Sequence, residues 1–221
     1  MAERRPIEHD HALITGVTKC GKTTLAHRMA NEEATKKKDR RPIIVYDPVG
    51  TETAAGTWPD GTIYFDDDEK FLEFMEKHEG EALVFIDEAD DIMAHRFIEN
   101  TRLVRRGRHF GWQIVLITQR PHLISPSART QCGVAFVFRL AREDSRAIGQ
   151  EFGHNDLHQE ELDRGDFLVL QSGSAQYERN NVFTHSKGVL AWTESDTGSK
   201  SRRLSSSSSP SSTASRRSRG S

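Results

Sequence analysis

The chain has 221 residues, 35% of them hydrophobic, and a formal charge of −2. That length holds one large α/β domain, or a domain with tails, and a mean hydropathy of −0.66 implies that part of the chain does not pack. Two cysteines exclude a disulfide framework and fit a reducing compartment, and no apolar stretch reaches the length of a membrane span.

Residues 1–11 are charged, lack the apolar core of a secretory leader, and are expected to form a flexible lead-in. A short apolar strand, Ala12 to Thr15, then meets Gly16-Val17-Thr18-Lys19-Cys20-Gly21-Lys22-Thr23, followed by Thr24. This run fits G-x-x-x-x-G-K-[ST], a phosphate-binding P-loop, in its required place between a strand and a helix. Successive backbone N–H groups and a helix N-terminus cradle phosphates, and glycine lets the backbone approach them. Lys22 is expected on the β- and γ-phosphates of ATP, and the Thr23 hydroxyl on Mg²⁺. Cys20 lies inside the loop, so added bulk on its thiol is expected to block nucleotide binding.

The pattern predicts a helix from Lys22 to Lys36. The basic run Lys36-Lys37-Lys38-Asp39-Arg40-Arg41 reads either as a solvated last turn that suits the helix dipole or as a DNA contact. Pro42 to Asp47 reads as a buried strand, 49–61 as a loop and Thr62 to Phe65 as a short strand. Asp66-Asp67-Asp68 is read as the cap of the helix carrying Phe71, Leu72, Phe74 and Met75, in preference to a metal site. Ala82 to Ile86 is the next strand, and a single helix is expected from Asp90 to Arg106. Trp112 to Thr118 and Val134 to Phe138 are strands, Arg142 to Phe152 and Asn155 to Leu162 helices. Phe167 to Leu170 and Gln176 to Phe183 read as a hairpin across Ser172-Gly173-Ser174. Strands alternating with helices point to an α/β fold: a mostly parallel sheet with helices on both faces and a closing β-hairpin.

From Ser195 to Ser221 the chain is rich in serine and arginine and is expected to be disordered, leaving residues 12–194 as the folded domain. Six basic residues stand there against Asp196, so the tail carries about +5 and the rest of the chain about −7. The ten histidines show no metal-ligand spacing.

Three further elements extend the phosphate loop into a reactive site. Asp87, at the end of a buried strand, can hold the Mg²⁺ that bridges the phosphates. Glu88, one residue on, can orient and deprotonate an attacking water. Gln119 ends the 112–118 strand. With that strand between the P-loop strand and the Asp87 strand, its amide can bond the γ-phosphate or the water. Finally, Arg105-Arg106-Gly107-Arg108-His109 offers a guanidinium that could reach across a subunit interface. Arg108 and Arg105 are the candidates, with Arg129, Arg139 and Arg142 competing.

On GVTKCGKTT, LVFIDEAD and above all RRGRHFGWQIVLITQRP, the chain resembles ATPases of the FtsK–HerA superfamily over about residues 11–185. The later GVAFVFRLAREDSRAIG and LDRGDFLVL resemble the end of that domain. This is the RecA-like P-loop class with a catalytic glutamate. In its compact form the chain looks most like the genome-packaging ATPases of tailless icosahedral viruses with internal membranes. The resemblance implies ATP and Mg²⁺ as cofactors and a homo-oligomeric ring, pentamer or hexamer, that translocates double-stranded DNA into a preformed capsid. A capsid or portal-vertex protein is then a partner, and the location is the host cytoplasm, the virion vertex or both. By the same resemblance Lys22 and Thr23 serve phosphate and metal, Asp87 the metal, Glu88 the water, Gln119 sensing, and Arg108 a finger acting in trans. The alternatives are a cellular-type DNA translocase or helicase-like ATPase, and a small-molecule P-loop kinase.

Overall fold

A computed structural model describes residues 10–50, 58–94, 101–184 and 188–193. The lead-in 1–9, the Ser/Arg-rich tail, part of the 49–61 loop and part of the expected 90–106 helix lie outside the described residues.

Eight strands form one sheet: β1 His11–Thr15, β2 Ile43–Tyr46, β3 Ile63–Phe65, β4 Ala82–Ile86, β5 Trp112–Thr118, β6 Cys132–Val137, β7 Asp166–Gln171 and β8 Glu178–Asn181. Their order is β3-β2-β4-β5-β1-β6-β7-β8. The first six are parallel to one another, β7 is antiparallel to β6, and β8 is antiparallel to β7. The expected hairpin is therefore present, pairing Asp166 with Asn181 and Val169 with Glu178. β5 lies between β4 and β1, the order the reading of Gln119 requires.

The helices are α1 Lys22–Ala34, α2 Asp68–Lys77, α3 Ala89–Ile92, α4 Thr101–Phe110, α5 Pro126–Arg129 and α6 Arg142–Phe152. Both sheet faces are covered, which is why β4 and β5 read as continuous apolar runs rather than alternating ones. Leu83, Phe85, Val115 and Ile117 pack with Leu25, Ala26 and Met29 of α1. Val84, Ile86, Ile114 and Leu116 pack on the other face with Phe71, Val104 and Ile148 of α2, α4 and α6. The carboxylate of Asp67 accepts the Lys70 N–H at 2.8 Å, so the acidic triplet caps α2.

The single helix expected from Asp90 to Arg106 does not form. It stops at Ile92, because the Met93 carbonyl accepts the Ser125 N–H (2.9 Å) and Ala94 bridges Ile124. These long-range contacts replace helical ones. Likewise Asn155 to Leu162 keeps only one 3₁₀ turn, Leu157–Gln159, since the Leu157 N–H turns back to the His154 carbonyl (3.1 Å).

The basic run at 36–41 divides by burial. Lys37, Lys38 and Arg40 are exposed, but Arg41 is buried and spent inside. Its Nη2 donates to Glu33 Oε2 (2.6 Å) and Gln113 Oε1 (2.9 Å), joining α1 to β5. Burial pushes the Glu33 carboxyl up, yet the Arg41 bonds and the Lys36 ammonium outweigh it and hold the carboxyl down at about 2. His11 is buried between two backbone groups: its Nε2 lies 2.8 Å from the Val104 carbonyl, and its Nδ1 accepts the Ile114 N–H at 3.0 Å. Burial pushes its pKa down to about 4, so the ring is neutral and ties α4 to β5.

Candidate nucleotide site at the carboxyl edge of the sheet

The site forms where β1, β4 and β5 end side by side, the edge at which open parallel sheets bind ligands. After Thr15 the Gly16 N–H reaches the Thr118 carbonyl (3.3 Å) and the Val17 N–H the Arg139 carbonyl (2.9 Å). The loop therefore rests on the ends of β5 and β6. A Cβ on Gly16 would stand 2.6 Å from Phe138 Cβ and 2.8 Å from Cys20 Sγ, so only glycine passes. Gly21 has φ +123 and sits against Val182, where a side chain would both strain the backbone and clash.

Gly21 opens α1 without a side-chain cap, and the first turn holds no acidic residue. Its N–H groups are thus left to a ligand, and the helix dipole favours an anion there. Lys22 is buried; its Nζ donates to the carbonyls of Gly16 (2.8 Å) and Val17 (3.1 Å), folding back over the loop. Thr23 is half-buried and Thr24 exposed. Lys19 is exposed and holds a left-handed turn, φ 62.

Asp87 follows β4, its N–H on the Tyr46 carbonyl (2.9 Å). Glu88 is left-handed, φ 44, a costly backbone state for this residue type. Its N–H donates to Asp87 Oδ1 at 2.9 Å. Its side chain joins the third element. Gln119 Nε2 donates to Glu88 Oε1 (3.1 Å), while Gln119 Oε1 accepts the Thr18 hydroxyl (2.6 Å). A single amide thus connects the phosphate loop to the carboxylate on the neighbouring strand. Thr118 supports it from behind, donating to Asp90 Oδ1 (2.5 Å) and accepting the Arg120 N–H (2.9 Å).

Burial pushes the Asp87 carboxyl up to about 6; the charges of Glu88 and Asp47 add to this, and the Glu88 N–H and Lys22 oppose it. A divalent cation would relieve that crowding of carboxylates. Among the described residues no cluster of three or more His, Cys, Asp or Glu could cage a metal. The crowding of carboxylates fits Mg²⁺, which is usually held by one or two protein oxygens and by substrate phosphates. Thr23 and Asp87 would supply those oxygens.

The structure brings together Gly16 to Thr24, Asp87, Glu88 and Gln119. It does not bring Arg108 to them. α4 runs back along β5, so Arg108 lies toward the opposite sheet edge, its Nη2 on the Gln131 carbonyl just before β6 (2.7 Å). Arg129 is consumed internally by Glu151 and the carbonyls of Pro121 and Ile124, clamping the segment after Gln119. Arg139 instead sits beside the chain's own loop. With Thr18, Lys19, Cys20, Asp163 and Arg164 it lines a recess of about 220 Å³. Asp163 and Arg164 escaped the sequence reading because only the return of the chain before β7, with the Gly165 N–H on the Cys20 carbonyl (2.9 Å), places them there. The Cys20 thiol lies within the same loop. It is buried against Gly16, and burial pushes its pKa up.

The family model for zonular occludens toxin (Zot) matches residues 12–154. No curated protein matches the sequence. Among solved structures, the genome packaging NTPase B204 from Sulfolobus turreted icosahedral virus 2, in complex with AMPPCP, is 16% identical with a TM-score of 0.62, over 79% of this chain and 98% of that one. The pCW3 conjugation coupling protein TcpA, with ATPγS, is 15% identical with a TM-score of 0.59, over 79% of this chain and 60% of that one. The N-terminal domain of zonular occludens toxin from Neisseria meningitidis is 18% identical with a TM-score of 0.50, over 79% and 93%. At such identities the likeness is one of fold. The expected P-loop fold and the resemblance to packaging ATPases are borne out at that level.

Proposed function

The chain belongs to the zonular occludens toxin (Zot) family, and from that premise we propose that it is an ATP-hydrolysing motor that moves double-stranded DNA. In this reading it works as a homo-oligomeric ring of five or six copies that packages a viral genome into a preformed capsid. Its partner is then a capsid or portal-vertex protein, and it acts in the host cytoplasm and at the virion vertex. The observation that carries the reading is the Thr18–Gln119–Glu88 chain of hydrogen bonds. A phosphotransferase to a small acceptor needs no base aimed at water. A hydrolase does, and here that base is tied through one amide to the loop that holds phosphate.

The triphosphate lies on the N–H groups of Thr18 to Thr24, with Lys22 turning from the loop carbonyls to the β- and γ-phosphates. Bound Mg²⁺, on Thr23 and Asp87, would neutralise phosphate charge. Glu88 orients the attacking water and takes its proton. Gln119 holds Glu88 in position and exchanges its Thr18 bond for one to the γ-phosphate or the water. A guanidinium from the neighbouring copy, Arg108 or Arg105, completes the charge stabilisation.

The fold similarity to packaging NTPase B204 supports the viral form of this reading. Similarity to the conjugation coupling protein TcpA favours a second, a DNA-transfer motor of cellular type. Glu88→Gln tests the chemistry common to both. The variant should bind ATP like wild type and hydrolyse it about 10²–10⁴-fold more slowly. Wild-type hydrolysis by the variant, or phosphate transfer to a small acceptor by the parent, would replace the proposal.

A further inference from the structure

Within one chain, the site uses none of the side chains on the outward face of α4. The helix runs Thr101–Phe110 without an acidic residue. Its inner face is tightly seated: Leu103 and Val104 are buried, and a Cβ on Gly107 would stand 3.1 Å from Ile114 Cδ1 on β5. Arg102, Arg105, Arg106 and His109 recur at i, i+3, i+4 and i+7, which places them on one face, and all four are exposed.

Among the described residues, no carboxylate pairs with any of these arginines, whereas Arg41, Arg129, Arg179, Lys36 and Lys77 each hold one. Arg106 lies over the Phe110 ring, 5.6 Å from its centre, a contact that does not cancel its charge. Like charges at this spacing repel, so the arrangement opposes the stability of the helix that carries it. It persists on a chain whose body is net acidic. The face fits a repeating anion.

We propose that this face of α4 grips the sugar-phosphate backbone of duplex DNA without reading its sequence. The proposal rests on the DNA-motor reading above and adds the surface that does the holding. From Arg102 to His109 the helix spans about 10 Å, the length over which a duplex presents about six phosphate charges. Arginine suits the task, since its planar fork matches phosphate oxygens. The surface is also wired to the nucleotide. α4 turns through Gly111 directly into β5, and β5 delivers Gln119 to Glu88. A load on α4 is therefore carried by one strand to the amide that positions the base.

The test uses the full chain with Arg102 and Arg106 replaced by Gln, Arg105 being left as a candidate finger. The probe is a labelled duplex of mixed sequence, titrated over a range of salt. Wild type should bind with a steep salt dependence. The double variant should lose about one unit of slope in log affinity against log salt, and roughly tenfold in affinity near 0.1 M salt, for each arginine that engages phosphate. Its DNA-free hydrolysis should be unchanged, and Arg102→Lys with Arg106→Lys should restore most of the slope. Wild-type affinity and slope in the Gln variant would overturn the proposal. So would lost ring assembly with unchanged duplex affinity, which assigns the face to a neighbouring copy. Intact duplex affinity with lost binding to polyglutamate would assign it to an acidic protein instead. A wild-type chain that binds no duplex at any salt refutes the motor reading itself, an outcome distinct from all of these.

Discussion

Replacing Gln119 with Glu changes one atom's chemistry and no atom's place. The Thr18 hydroxyl still has an acceptor at 2.6 Å, but the amide hydrogen bond to Glu88 Oε1 at 3.1 Å becomes a contact between two carboxylates. At that separation two unit charges repel by about 5 kcal/mol for an effective dielectric constant of about 20. Residue 119 is half-buried, so solvent screening reduces this, and about 2–3 kcal/mol is the working figure. That corresponds to roughly two pH units on the pair's upper apparent pKa. Glu88 can serve as a base only when ionised. The acid limb of the kcat profile for Gln119→Glu should therefore move up by about two pH units, with activity recovering on the alkaline side. Gln119→Leu is the control: it removes the amide without adding charge, and should lower kcat about 10²-fold at every pH with no shift. ATP affinity should stay within about threefold in both, because Gln119 does not supply the loop's N–H groups. The assay is steady-state phosphate release across pH with saturating ATP. An acid limb for Gln119→Glu that coincides with wild type would show that residues 119 and 88 are not coupled during turnover.

His11 makes the fold sensitive to acid. Its folded pKa, about 4, lies below the unfolded value of 6.5, so the unfolded chain binds more protons between the two. The stabilisation is complete above pH 6.5 and is lost as pH falls toward 4, reaching about 2 kcal/mol at pH 5. Asp87 is raised and acts with opposite sign, so the difference between wild type and His11→Gln in urea unfolding isolates the histidine; an equal pH slope in both would exclude it. Cys20, buried and with its pKa raised, should react with a maleimide far more slowly in the native protein than in urea, and equal rates would show the loop to be open.

What the sequence discloses and what it withholds divide by the range of the interactions. The strands were readable because burial on both faces leaves uninterrupted apolar runs such as Ala82 to Ile86. The reading of Gln119 takes β5 to lie between β4 and β1, and the sheet has that order. The Asp67 cap is local and was found. The end of the helix at Ile92 was missed, since its cause is the Ser125 N–H and the Ala94–Ile124 bridge, some thirty residues away in sequence. Arg41 and Arg129 looked like free cations in the sequence. Only the fold pairs them with Glu33 and Glu151. Arg139 stood among the candidates for a finger acting in trans, and the turn after β6 places it beside its own P-loop instead. Thr18 is one of the loop residues named from the motif, and only the fold shows that its hydroxyl closes the chain to Gln119.

The central claim is that hydrolysis at Glu88 serves movement of duplex DNA. The rate of phosphate release from ATP by the full chain, with and without duplex DNA at several salt concentrations, tests it most directly. The account predicts that duplex accelerates hydrolysis and that the acceleration fades as salt rises. A rate indifferent to DNA at every salt concentration would contradict it.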